Sequence, residues 1–277
     1  MGKGGLENRT GYFSAVLHAL ESDYSVTGQE RVNFYQEQMK QYPLYPVLFE
    51  RISSEIDKVI EREGGRGGLV DIIEYGPGTG DLAVMIAKKD GVGTYTVVEP
   101  DPSFLELCER KASEHHLSNM KFVCKKAEEY ISDREVEAVL HTFAFHHFDN
   151  KEEALKMIYN NLRKGGLHVI GDVFIPDYDF NKDYQPSDIG KFAESVLGCA
   201  AEHILAMPSP EEKNVADQIK TAIMDLFRYE EFKVSKEIAG KMLEDAGFKG
   251  IEFELLKGKN QRVNYKRMGW YLSISHK

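Results

Sequence analysis

Several things are scarce in this sequence. It has three cysteines in 277 residues, Cys108, Cys124 and Cys199, with no CxxC or zinc-like spacing. That excludes a disulfide scaffold and reads as reduced, mostly buried thiols in a cytoplasmic protein. No apolar run approaches the ~20 residues that span a bilayer. The opening residues, "MGKGGLEN", lack a signal-peptide stretch, and Leu6 stands where a myristoylation signal needs Ser or Thr. Blocks of consecutive lysines or arginines are also missing, and the formal net charge is −10. Such a chain is a poor binder of nucleic acid or of an anionic membrane, so neither is expected as a partner. Internal repeats are absent too. What remains is ample for a packed core, since 42% of the residues are hydrophobic.

The chain divides by rhythm. Residues 1–66 read as helical and rich in aromatics, among them Tyr12, Phe13, Tyr24, Tyr35, Tyr42 and Tyr45. In "YPVLFERISSEIDKVIERE" the apolar residues Leu48, Ile52, Ile56 and Ile60 recur every four positions, one face of a helix. "EGGRGG" then breaks it. From residue 67 strand and helix alternate. "LVDIIE" is a continuous apolar run, as in a strand buried on both faces, and "TGDLAVMIAKK" is a helix. "TYTVVE" is a second strand. Asp101 caps the next helix, with Pro102 in its first position. "KFVC", "EAVLHTF" and "LHVIGDVF" are further strands. Asp149 and Glu152 form a capping-box pair for "KEEALKMIYNNLRK", which Gly165 or Gly166 ends. This alternation implies an open parallel sheet with right-handed crossovers. After Phe174 the rhythm stops, and residues 176–230 read as a helical insertion with Pro208 and Pro210 between two helices. A last helix and two late strands complete a core of residues 67–175 and 231–277.

The densest signal is "VDIIEYGPGTGD", where glycines fall at alternate positions after the first strand. In open parallel sheets ligands sit at the carboxyl ends of the strands, and glycine there allows φ > 0 and a close backbone approach. A dinucleotide site reads G-x-G-x-x-G, but the position of its third glycine is Asp81, which opposes a nicotinamide oxidoreductase. Carboxylates end the first two strands at Glu74 and Glu99. Such a pair repels a pyrophosphate and suits a phosphate-free nucleoside bearing positive charge.

"EYGPGTG" followed by "VVEPD" resembles the first two motifs of the class I S-adenosylmethionine-dependent methyltransferases. "KKAEEY", "EAVLHTFAFHHF" and "LRKGGLHVIGD" are similar to that family's later segments, in the same order. The resemblance implies an α/β, Rossmann-like, seven-stranded and mostly parallel sheet. Around it would lie an N-terminal helical lid (1–66) and a substrate-capping insertion after strand five (176–230). It implies S-adenosyl-L-methionine as cofactor. Gly76, Gly78 and Gly80 would lie under its methionyl and ribose part, with Glu74 near its amino group and Glu99 on the ribose hydroxyls. Pro100 and Asp101 would flank the adenine, and Ala127 would offer it a backbone N–H. Lys126 stands where the family often has an acid, and Glu128 is the substitute. His141 and Phe143, at the end of strand four, would lie close to the sulfonium.

Methyl transfer needs alignment and a dry site, and a base only if the acceptor must lose a proton. His146 is the candidate base, because its unperturbed pKa of ~6.5 suits neutral pH; packing behind the site is the alternative. Tyr24, His147, Asp172 and His203 are candidates to contact a small-molecule acceptor. Asp172 would hold a cationic or hydroxyl group, or cap the following loop. The other readings are an aminopropyl-like transfer and a cofactor-binding subunit without turnover. The oligomeric state is not encoded in any motif.

Overall fold

The computed structural model describes residues 28–40, 44–181, 184–206, 219–223, 225–226, 232–256 and 269–277. Helix α1 (Gln29–Lys40) and helix α2 (Tyr45–Gly64) precede β1 (Val70–Tyr75). Then α3 (Asp81–Ala87), β2 (Val92–Val98), α4 (Pro102–Glu114), β3 (Met120–Val123), β4 (Val136–Thr142), α5 (Lys151–Asn161) and β5 (Leu162–Phe174) follow. Helix α6 (Ile189–Ala206) lies in the insertion, and α7 (Lys236–Ala246), β6 (Lys249–Leu255) and β7 (Gly269–His276) close the sheet. The seven strands run in the order β3-β2-β1-β4-β5-β7-β6. Only β7 is reversed, pairing antiparallel with both β5 and β6. The chain therefore changes direction across the sheet between β1 and β4, and the ends of these two strands are where a ligand site is expected.

Helices cover both faces. On one, α2 packs on α3 and α3 on α4, and α2 also packs on β1, β4 and β5; on the other, α5 packs against α7. The four-residue repeat of α2 supplies the first layer, with Leu48, Ile52 and Ile56 fully buried. Leu48 fills a notch over Gly171, where a Cβ would come within 2.6 Å of its Cδ1. Helix α2 is thus a layer of the core. Helix α1 lies against the glycine turn through Tyr35, with Val32 packed on Phe104 and Leu107 of α4.

Local signals set most boundaries. Asp101 caps α4 by accepting from the Ser103 N–H at 2.8 Å, with Pro102 in the first turn. Two boundaries differ from the sequence expectation. Asn150, not Asp149, caps α5, accepting from the Glu153 N–H at 3.1 Å. And α5 ends at Asn161, not at the glycines. The Asn161 side chain accepts from Ser132 N–H and donates to Tyr75 Oη and the Tyr130 carbonyl, so it is fixed by tertiary bonds. Strand β5 then starts early and carries Gly165, at φ +75°, and Gly166 through an irregular register against β4.

Candidate active site

The glycine turn joins β1 to α3, and Gly76, Gly78 and Gly80 have φ of +64°, +55° and +74°. Side chains are excluded there by the protein's own packing. A Cβ on Gly76 would lie 2.5 Å from Ala144 Cβ, one on Gly80 2.8 Å from Cys108 Sγ, and one on Gly78 3.1 Å from the Tyr35 ring. Tyr35 comes from α1 and lies against the turn. Tyr45 is a second, from the start of α2. Its hydroxyl hydrogen-bonds Thr79, and burial, the largest cause, raises its pKa. Tyr12, Phe13, Tyr24 and Tyr42 lie outside the described residues.

Two acids sit at the strand tips. Glu74 is fully buried. One of its oxygens accepts from Tyr95 Oη at 2.7 Å, and the other has no hydrogen-bond partner among the described residues. Burial pushes its pKa up to about 7; the Tyr95 bond lowers it and nearby Glu99 raises it. Glu99, also buried, accepts from the Asp101 N–H at 2.9 Å. Asp81 receives Thr79 Oγ1 at 2.6 Å and pairs with Lys111. An orphaned buried carboxyl oxygen beside a turn rich in acids fits a nucleoside with a positively charged tail, and is hostile to phosphates. The residues expected on the adenine side follow β2 and β3. Pro100 is exposed, Ala127 is buried in a single turn of 3₁₀ helix after β3, and Glu128 is half-buried beside Lys126.

The end of β4 is the most specialised stretch. Phe143 has φ +51°, a region that residues with a side chain rarely adopt. Its N–H donates to the Gly171 carbonyl at 2.9 Å, and its ring stacks on Tyr45 and meets Trp270 edge to face. A 3₁₀ turn, Phe145–His147, follows and carries the two histidines. The parallel register pairs Thr142 with Gly171, so Asp172 is level with this turn. Its Oδ1 lies 2.6 Å from His146 Nδ1, and its Oδ2 accepts from the His146 N–H at 3.0 Å. Oδ1 also accepts from the Val173 N–H. Burial of Asp172 favours the neutral acid, but His146 and these N–H donors outweigh it and lower the pKa. Asp172 therefore holds His146 through both the ring and the backbone. His147 is exposed, with its ring 4.0 Å from that of His146.

His141 is placed otherwise than expected. It is fully buried, stacked on Tyr75 and edge-on to Phe148 and His168, and neither ring nitrogen has a partner among the described residues. Strand alternation turns it toward the layer of α5 and α7, so it packs instead of facing the glycine turn. His203 lies on α6, its side chain outside the described residues. Sequence reasoning missed Tyr95 and Trp270, which meet the site only through sheet pairing, and Thr79, which lies in the glycine turn itself. It also missed Phe232, whose N–H donates to the His146 carbonyl at 2.8 Å.

Comparisons with known proteins agree with this geometry. A family model described as "Methyltransferase domain" matches residues 72–166. Malonyl-[acyl-carrier protein] O-methyltransferase of Priestia megaterium is 27% identical over 97 residues, 35% of this chain. The match spans 34% of that relative's length. Among solved structures, a Nostoc punctiforme protein assigned as an O-methyltransferase aligns at TM-score 0.55 and 14% identity, covering 91% of this chain and 62% of that one. Phosphoethanolamine N-methyltransferase 2 of Haemonchus contortus, in complex with S-adenosyl-L-methionine, aligns at TM-score 0.51 and 13% identity, covering 76% and 49%. Residues 72–166 thus match a methyltransferase domain, and the strand order and the glycine turn between two acid-tipped strands agree with that match.

Proposed function

We propose that this protein transfers a methyl group from S-adenosylmethionine to a small polar metabolite, with His146 as general base. The cofactor, when bound, supplies a methyl group on a sulfonium, a good leaving group. The chain's own tasks are to bind, to align the acceptor, to exclude water and to move a proton. In this reading the glycine turn, Glu74 and Glu99 hold the nucleoside and its amino-bearing tail. Pro100, Ala127 and Glu128 serve the adenine side. Tyr35, Tyr45 and Phe143 wall the site, and His147 borders the acceptor. The site works in the cytoplasm on free small molecules, with no nucleic acid or membrane involved.

The observation that carries the reading is the 2.6 Å contact between His146 Nδ1 and buried Asp172. An ionised Asp172 accepts a proton bond from Nδ1–H, which leaves Nε2 as the nitrogen that takes a proton. It also stabilises the imidazolium that results. Such a base helps most where the acceptor is a hydroxyl that must ionise as the methyl group arrives.

The test uses cofactor labelled in its methyl group and a pool of polar metabolites. Label is expected in the small-molecule fraction. His146→Ala should lower turnover by about 100-fold or more, the usual contribution of a general base, with cofactor affinity within about twofold by calorimetry. Unchanged turnover would remove His146 from the mechanism. Glu99→Ala should weaken cofactor binding by about 10- to 100-fold, the loss of charge-assisted hydrogen bonds.

A further inference from the structure

The turn that carries His146 is held from two sides. Asp172 of β5 holds the ring and the N–H, as described. On the other side the segment Phe232–Ser235, which leads out of the insertion, meets the same residue. The Phe232 N–H donates to the His146 carbonyl at 2.8 Å, and the Val234 carbonyl accepts from the Ile175 N–H at 3.2 Å. A bridge between Ile175 and Ser235 continues β5 by one step. Ser235 then caps α7, accepting from the Ile238 N–H. This short strap is tied at one end to the core and at the other to the insertion.

The insertion end is tied by a buried ion pair. Asp225 and Lys233 are 2% and 5% exposed. Asp225 Oδ2 accepts from Lys233 Nζ at 2.7 Å, and Oδ1 from the Lys233 backbone N–H at 2.9 Å. One carboxylate thus grips both the side chain and the main chain of the residue next to Phe232. The Phe232 ring also lies 5.6 Å from the ammonium of buried Lys151, which donates to the Phe148 carbonyl at 2.6 Å. Removing a charged pair from water costs more than its attraction returns in many proteins, so this pair is weak evidence for added stability, while its two hydrogen bonds fix the geometry of Lys233.

We infer that Asp225 and Lys233 are positioning residues for His146: they fix the strap whose Phe232 N–H sets the position of the His146 carbonyl, and with it the imidazole. The inference rests on the reading of His146 as base. The insertion is then a part of the proton-transfer apparatus as well as a cover.

The test is the double variant Asp225→Leu with Lys233→Met, which removes both charges and keeps the bulk. Such replacements of a buried pair commonly preserve stability. It should fold, bind S-adenosylmethionine with unchanged Kd, and lose about 10-fold in kcat with little change in KM. In ¹⁵N-histidine NMR the His146 Nδ1–H resonance should broaden or exchange at least 10-fold faster than in wild type. An unchanged kcat and an unchanged resonance would overturn the inference. The resonance is read without turnover, so an inactive wild-type protein would defeat the functional reading while still deciding this one. Should the variant not fold, native-state hydrogen exchange on the wild-type protein decides. The His146, Phe232 and Lys233 amides should open together, and exchange rates more than 10-fold apart after correction for intrinsic rates would refute the coupling.

Discussion

Glu74 is a carboxyl group with no access to water, and its proton is therefore a stability question. Its ordinary value of 4.5 is raised to about 7 in the folded chain, first by burial. The folded state then holds a proton that the unfolded chain has released between those two values. The contribution of Glu74 to stability is fully present below pH ~4.5 and is lost as pH rises through about 7. Two and a half units at ~1.36 kcal/mol each amount to about 3 kcal/mol. Glu74→Gln should abolish this dependence. Urea titrations at pH 5 and pH 8, without cofactor, should show the wild type weakening against the variant by about 2–3 kcal/mol. A constant difference would mean that Glu74 stays ionised throughout.

At the scale of elements, α2 is the best single case. Leu48 has no exposure and seats in the gap left by Gly171. Leu48→Ala should cost about 3 kcal/mol, transfer plus cavity, measured by chemical denaturation. A loss below ~1 kcal/mol would show that the helix is not pressed against the sheet. That helix was legible because its apolar repeat is local, and so were the cap at Asp101 and the glycine turn. The end of α5 was not legible. Asn161 stops it through bonds to Ser132, Tyr75 and Tyr130, residues far apart in the sequence. The candidate site divides along the same line. The acids and histidines stand out as residue types at strand ends. That Asp172 serves His146 depends on the β4–β5 register, and the role of Phe232 on a contact 86 positions away. Nor could the alternation of β4 alone say which face His141 takes.

Over the whole molecule, two buried histidines set the response to acid. His141 and His168 meet edge to face at 5.0 Å in the layer under α5 and α7. Burial pushes the pKa of His168 down to about 3, and burial together with His168 drives that of His141 well below its ordinary value. Both stay neutral in the fold and become charged once it opens. The stability this represents is present above pH ~6.5 and is lost as pH falls, by ~1.4 kcal/mol per unit for each histidine. Glu74 works in the opposite sense over pH 4.5–7, so one histidine's worth of acid lability remains net there. Acid unfolding followed by circular dichroism should therefore move to lower pH in His168→Phe, by at least half a unit, and no shift would place its charge elsewhere. The sheet order has a consequence for biosynthesis. Strand β7 is last in the sequence yet sits between β5 and β6. While a ribosome adds the intervening residues at ~5–20 per second, the β5 edge that β7 will occupy stays bare. A nascent chain in that state is one that chaperones should recognise, and one that a neighbouring copy could cap by mistake.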